Sequence, residues 1–161
     1  MTPKEVNEFY LIVGAERRSD PRRGDKSKVY DRKVMGRKGV GKLAPFGVCQ
    51  KVELLTSGGD EVTGKDASGL VVSGYLTAHL ILDRKKIITD TDTVYHPDIG
   101  AQDGTIRKER GTILKLTNFD HRRVPQMDEF ERQLSQRFGV ASPNWQIELA
   151  DTLKTPTDSK A

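Results

Sequence analysis

Apolar residues recur along this chain in two periods, and the switches between them mark its elements. Val6, Phe9, Tyr10 and Val13 share one side of a 3.6-residue repeat, with Leu11 and Ile12 broadening the stripe. Ahead of them Thr2-Pro3-Lys4-Glu5 is a capping box with proline in the first turn, and Gly14 stands where such a helix would stop. The spacing predicts a helix from the capping box to about Val13. A second stripe, Met127, Phe130, Leu134 and Phe138, predicts a helix over Met127 to Phe138. Asp128, Glu129 and Glu131 suit its positive end, Arg137 suits the other, and Gly139 closes it.

Alternation in twos predicts the strands. Lys51 to Ser57 puts Val52, Leu54 and Thr56 on one face, and Gly58-Gly59-Asp60 after it is a turn, so a hairpin is expected there. Leu70 to Asp83 reads as a long central strand, bulged at Gly74. Gly111 to Thr117 places Thr112, Leu114 and Leu116 on one face, and Trp145, Ile147 and Leu149 alternate in a last strand. Leu43 to Gln50 reads as a short helix that turns Phe46 to the core. Lys85 to Arg110 reads mostly as loop with room for an edge strand, and 152–161 as a disordered polar tail. Together these elements predict an α+β fold, a two-layer α/β sandwich with a mixed, mostly antiparallel sheet.

Composition adds that the chain is one soluble domain. Its 161 residues are 35% hydrophobic and 31% charged, and no apolar run approaches the ~18 residues of a membrane span. Met1 to Glu5 is no signal peptide. A single cysteine, Cys49, excludes an internal disulfide, suits a reducing cytoplasm and reads as a small buried hydrophobe. The net charge of +4 is concentrated: from Glu16 to Lys42 there are eleven Lys and Arg against four Asp and Glu. That segment contains a long polar stretch without periodicity, residues 15–35, of the kind that forms lids. Its Arg17, Arg18, Arg22 and Arg23 read as solvated lid residues.

The stretch that carries chemistry follows directly: Gly36-Arg37-Lys38-Gly39-Val40-Gly41-Lys42-Leu43-Ala44-Pro45-Phe46-Gly47. Glycines let backbone N–H groups approach an anion, the interleaved cations favour it, and a helix start adds unpaired donors. Gly36 and Gly41-Lys42 fit the spacing of a P-loop. However, Leu43 stands where Ser or Thr would hold Mg²⁺, and Tyr30-Asp31-Arg32-Lys33 precedes the box instead of a buried strand. His79, His96 and His121 are far apart without cysteine partners, so no metal site is read, and no triad or carboxylate pair argues for catalysis.

The box from Met35 to Gly47 resembles the second glycine box of GHKL ATP-binding proteins, the class of gyrase B, the large heat-shock chaperones, MutL and sensor histidine kinases. Gly111-Thr112 at a strand start resembles that family's Gly-Thr motif, and Arg132 to Phe138 with the Trp145 strand resembles its next helix and strand. The resemblance implies a Bergerat-type fold over residues 1–151 with a lid at 15–35. It implies ATP as ligand with Mg²⁺, and a conformational switch that in intact relatives typically dimerises. Gly36, Lys38, Gly39, Val40, Gly41, Lys42 and Leu43 would then hold phosphates, with Lys42 the favoured cation, and Thr112 would bind near the adenine.

The family's Glu base, its Mg²⁺-binding Asn and its Asp-x-Gly-x-Gly adenine turn have no counterpart here, which leaves hydrolysis by this chain without a catalytic residue. In many relatives that turn ends in Met before a helix like Thr2 to Val6. The resemblance therefore sets Met1 at the turn's end and implies a fragment that starts after the catalytic half. A second reading is a nucleic-acid-binding module that uses the basic 17–42 segment on DNA, although only Tyr30 offers a stacking ring inside it. A third is an inert remnant that folds poorly.

Overall fold

The computed structural model describes residues 1–14, 16, 20–26, 31, 33, 39–90, 95–120, 125–138 and 146–151. Strand β1 (Cys49–Ser57) is the middle of a six-stranded antiparallel sheet. It pairs on one edge with β3 (Val71–Asp83) and on the other with β6 (Gly111–Phe119). β2 (Val62–Lys65) joins the first part of β3, while β4 (Asp98–Ile99) and β5 (Ile106–Arg107) pair with β3 further along. With helices beside an antiparallel sheet, the fold is α+β.

The expected hairpin at Gly58-Gly59-Asp60 does not form. β1 has both edges taken by β3 and β6, so the strand after the turn pairs with β3 instead. β3 is long because it serves different partners along its length, and Gly74 lies at the change. A side chain there would put a Cβ 2.3 Å from the carbonyl oxygen of Arg107 in β5, so only glycine admits that strand.

Register fixes the faces. Val52, Leu54 and Thr56 of β1 lie level with Leu82, Leu80 and Ala78 of β3 and with Leu116, Leu114 and Thr112 of β6. Onto this face packs α1, an α-helical turn Pro3–Glu5 that widens into a π-helix over Val6–Tyr10. The capping box forms as the sequence predicts: Thr2 Oγ1 accepts from Glu5 N at 3.1 Å and Glu5 Oε2 accepts from Thr2 N at 2.9 Å. Val6, Leu54, Ala78 and Leu80 make the buried core, with Met1, Tyr10 and Leu11 packed against it. Burial of a valine or leucine in such a core stabilises by about 1.5–3 kcal/mol.

α1 stops at Tyr10, short of Val13. Leu11 N reaches Val6 O in the last π-helical bond, and the carbonyls of Phe9 and Ile12 are taken by Lys42. Ile12 and Val13 are about half exposed, at 49% and 47%. The short helix also shifts from its expected Leu43 to Gln50. It is a 3₁₀ helix over Val40–Gly47, because Cys49 already pairs with Phe119 in the β1–β6 ladder. Cys49 is fully buried, as its type suggests.

The 85–110 stretch holds more structure than a loop. α2 (Arg84–Thr89) follows β3 directly, capped by Asp83, and Lys86 meets Asp98 of β4 at 2.6 Å. A separate unit, residues 121–161, contains α3 (Met127–Phe138), with the bounds its apolar spacing predicts. Among the described residues the expected last strand is not formed. Residues 146–150 pair with no described strand; Gln146 and Glu148 bond to each other at 2.6 Å, and Ile147 stays 47% exposed. Alternation alone supplies no ladder partner. Trp145 and the 152–161 tail lie outside the described residues.

Candidate functional site

Two groups of the residues singled out by sequence lie on the α1 side of the sheet. The first is the glycine box. Gly39 adopts a left-handed conformation, φ +65°, immediately before the 3₁₀ helix. Val40 and Leu43 are exposed, at 56% and 41%. A Cβ at Gly41 would meet nothing within 4 Å, so the backbone there is open to an approaching group. The first N–H groups of a helix have no partner within it. Gly36 and Lys38 lie outside the described residues.

Lys42 is turned inward. Its ammonium donates to Ile12 O at 2.6 Å and Phe9 O at 3.1 Å and lies 5.6 Å from the centre of the Tyr10 ring. Burial, and secondarily the charge of Arg23, hold its pKa below that of an ordinary lysine. Sequence reasoning set this cation on a phosphate; here it holds one carbonyl in the last turn of α1 and one just beyond it. Arg22 and Arg23 lie over the Phe9 ring at 5.1 and 4.6 Å, and Arg22 also meets Asp20 and Glu8. The described part of the 15–35 stretch is a turn in which Arg23 N and Gly24 N bond to Asp20 O, followed by a bridge between Lys26 and Lys33.

The second group is centred on Thr56, fully buried at the end of β1. Its Oγ1 accepts from Met1 N at 2.9 Å, lies 2.8 Å from Thr112 Oγ1 and donates to Gly111 O at 3.2 Å. The Thr56 hydroxyl has one proton. With that proton on Gly111 O, Thr112 is the donor to Thr56, and every partner is satisfied. The sequence placed Thr56 on a face with Val52 and Leu54 but gave it no role, although its hydroxyl was the polar group among those three.

Between the two groups Val6 rests on Leu54. Thr56 and Val52, four positions apart, stand roughly 13 Å apart along an extended strand. On the Val52 side opens a cavity of about 620 Å³ with Val52, Leu80 and Leu82 in its lining, together with Leu11, Lys42, Leu43, Phe46, Tyr95 and Ile99. The fold thus brings Lys42 and Leu43 to a largely apolar cavity that does not include Thr112.

A third cluster had no sequence signal beyond a histidine within the apolar run Ala78-His79-Leu80-Ile81-Leu82. His79, on the opposite face, is 5% exposed and bonded to Glu53. Among the described residues no helix is long and apolar enough to cross a membrane. No family model, curated protein or solved structure matches the chain.

Proposed function

We propose that this chain binds Mg-ATP as a nucleotide-binding domain of the GHKL class, with a Bergerat-type arrangement of sheet and helix, and serves as a nucleotide-dependent conformational switch. One observation carries this reading: Met1 and Thr112, the two positions that the resemblance sets at the adenine end, meet through Thr56. The glycine box lies on the same side of the sheet, at the other end of α1. The open backbone at Gly41 fits an anion there.

In this proposal Gly39, Val40, Gly41, Lys42 and Leu43 offer backbone N–H groups to the phosphates, with Gly36 and Lys38 contributing by resemblance. Thr112 offers its hydroxyl near the base. Bound Mg²⁺ would neutralise phosphate charge, but none of the residues in this chain matches the family's metal-binding Asn or its Glu base, and the hydrolytic step is assigned to no residue here. Dimerisation and a cytoplasmic setting belong to the same proposal, the latter on the lone, buried thiol of Cys49.

Calorimetric titration with a nonhydrolysable ATP analogue and Mg²⁺ tests it. Binding should be abolished by Gly41→Ala and weakened by Thr112→Val. Absence of binding at millimolar analogue would overturn the proposal. If salt-sensitive uptake of DNA appeared in its place, the basic 17–42 segment would be the functional one, although Arg22 is already paired with Asp20 and Glu8.

A further inference from the structure

The face of the sheet opposite α1 holds a buried titratable side chain that the proposed nucleotide site does not use. His79 of β3 is 5% exposed. Its Nδ1 lies 3.1 Å from the backbone N of Gln102, and its Nε2 lies 2.8 Å from Glu53 Oε1. A backbone N–H can only donate, so Nδ1 is the acceptor and the ring proton sits on Nε2, donated to Glu53. The ring is neutral in this arrangement.

The same residue holds the 100–105 segment through its backbone. His79 O accepts from Gly100 N at 2.8 Å, and His79 N donates to Asp103 Oδ1 at 2.8 Å. Next to it, Gly104 N donates to Thr77 O at 3.0 Å and Thr77 N to Thr105 O at 2.9 Å. Gly100 lies flat on the imidazole, where a Cβ would be 2.3 Å from the ring. Just before this segment, Asp98 and Ile99 of β4 pair with Ile81 and Leu80, and Ile99 walls the cavity on the other face.

We propose that His79 is a proton-operated strap: neutral, it holds Gln102 and the 100–105 segment on β3, and protonated, it keeps Glu53 but releases Gln102, which loosens the β4 wall of the cavity. Protonation puts an N–H on Nδ1, facing the N–H of Gln102, so that hydrogen bond is lost. At Nε2 the donor to Glu53 remains and gains charge. Among the described residues, Glu53 on β1 meets the ring at Nε2, and Asp103 on the strapped segment accepts from the backbone N–H of His79. Lys115 on β6 lies 3.7 Å from the other oxygen of that carboxylate, Glu53 Oε2. A proton added at Nδ1 therefore opens the strap.

Imidazole ¹⁵N spectra and residue-resolved amide exchange on the full chain test this. At about pH 7.5 the spectra should show the Nε2–H tautomer. Between about pH 7.5 and about pH 5 the exchange protection of Gln102, corrected for intrinsic rate, should fall about fivefold or more, while that of Leu54 holds. The midpoint should coincide with the ring's own titration. His79→Gln, which has no proton to gain, should abolish the pH response. Glu53→Gln, which removes the favouring charge, should move the midpoint to lower pH and keeps the test decisive if His79→Gln does not fold. An Nδ1–H tautomer, or Gln102 protection that follows pH equally in wild type and variant, would overturn the proposal.

Discussion

Lys42 donates from its ammonium to the carbonyl oxygen of Ile12 at 2.6 Å, across thirty positions of sequence. This contact joins the glycine box to the end of α1, since the same ammonium also holds Phe9 O. Gly39 lies against it: a Cβ there would be 3.4 Å from Lys42 Nζ and 3.9 Å from Ile12 O. The lysine therefore closes the turn after α1 as well as belonging to the box. An anion in the box would compete with two carbonyls for the same cation.

Lys42→Met should destabilise the chain by about 1–3 kcal/mol, the range for hydrogen bonds to a charged group at a partly buried site. Urea denaturation followed by circular dichroism measures it, and Lys42→Arg, which keeps donors and charge, should recover part of the loss. An unchanged midpoint in Lys42→Met would mean that the contact contributes nothing to folding.

Burial and Arg23 hold the pKa of Lys42 below the free-lysine value. Replacing Arg23 by Gln removes a like charge and should move that pKa upward, measurable by NMR of the lysine ε position. The stability consequence has a definite sign. Between the lowered folded pKa and the ordinary value the unfolded chain binds more protons, so this group makes stability rise with pH across that window. The rise should be smaller in Arg23→Gln.

The two glycines of the box should respond to alanine with opposite signs. Gly39 has φ +65°, and a left-handed alanine costs about 1–2 kcal/mol. Gly41 sits within the 3₁₀ helix with open space at its Cβ. Alanine there should be neutral or stabilise by up to about 1 kcal/mol through reduced chain entropy. Denaturation midpoints of the two variants decide it, and Gly41→Ala is accordingly the cleaner probe of nucleotide binding.

Thr56→Val keeps the shape of the side chain but strands Met1 N, the Thr112 hydroxyl and Gly111 O, and should cost about 1–3 kcal/mol. Thr112→Val should cost less, because Thr112 is exposed and its loss leaves Thr56 with its other partners. Equal losses in denaturation would show that the cluster is held by Thr112 rather than by Thr56.

Gly100→Ala should overpack the strap by about 1–3 kcal/mol, since the ring it strikes is held at both nitrogens and cannot step aside. In a His79→Ala background the same change should cost much less, and a double-mutant cycle on unfolding free energies reads the difference.

Local chemistry made several elements legible before any contact was known. The capping box, α3 with both its ends, the long β3 with its special Gly74 and the Thr112, Leu114, Leu116 face of β6 each depend on spacing within one segment. Glycine at position 39 likewise announces a backbone that only glycine adopts easily. For these the period of the side chains and the few residues at each end are the cause, and both are written in the sequence.

What only the tertiary structure decided is pairing. Nothing within Lys51 to Ser57 says that both of its edges will be filled by strands far along the chain, and that competition removed the expected hairpin. Nothing within Trp145 to Leu149 says whether a ladder partner exists. Lys42 belongs to a glycine box that reads as a phosphate cradle, yet its ammonium meets carbonyls in and just after a helix whose end the sequence set three residues too late. Thr56 and His79 became a hub and a strap because neighbours distant in sequence gave their polar atoms partners in buried places, where an unpaired group is costly. The segment's own residues determine its conformation, whereas the partner of each polar atom is decided by which distant segments the folded sheet brings beside it.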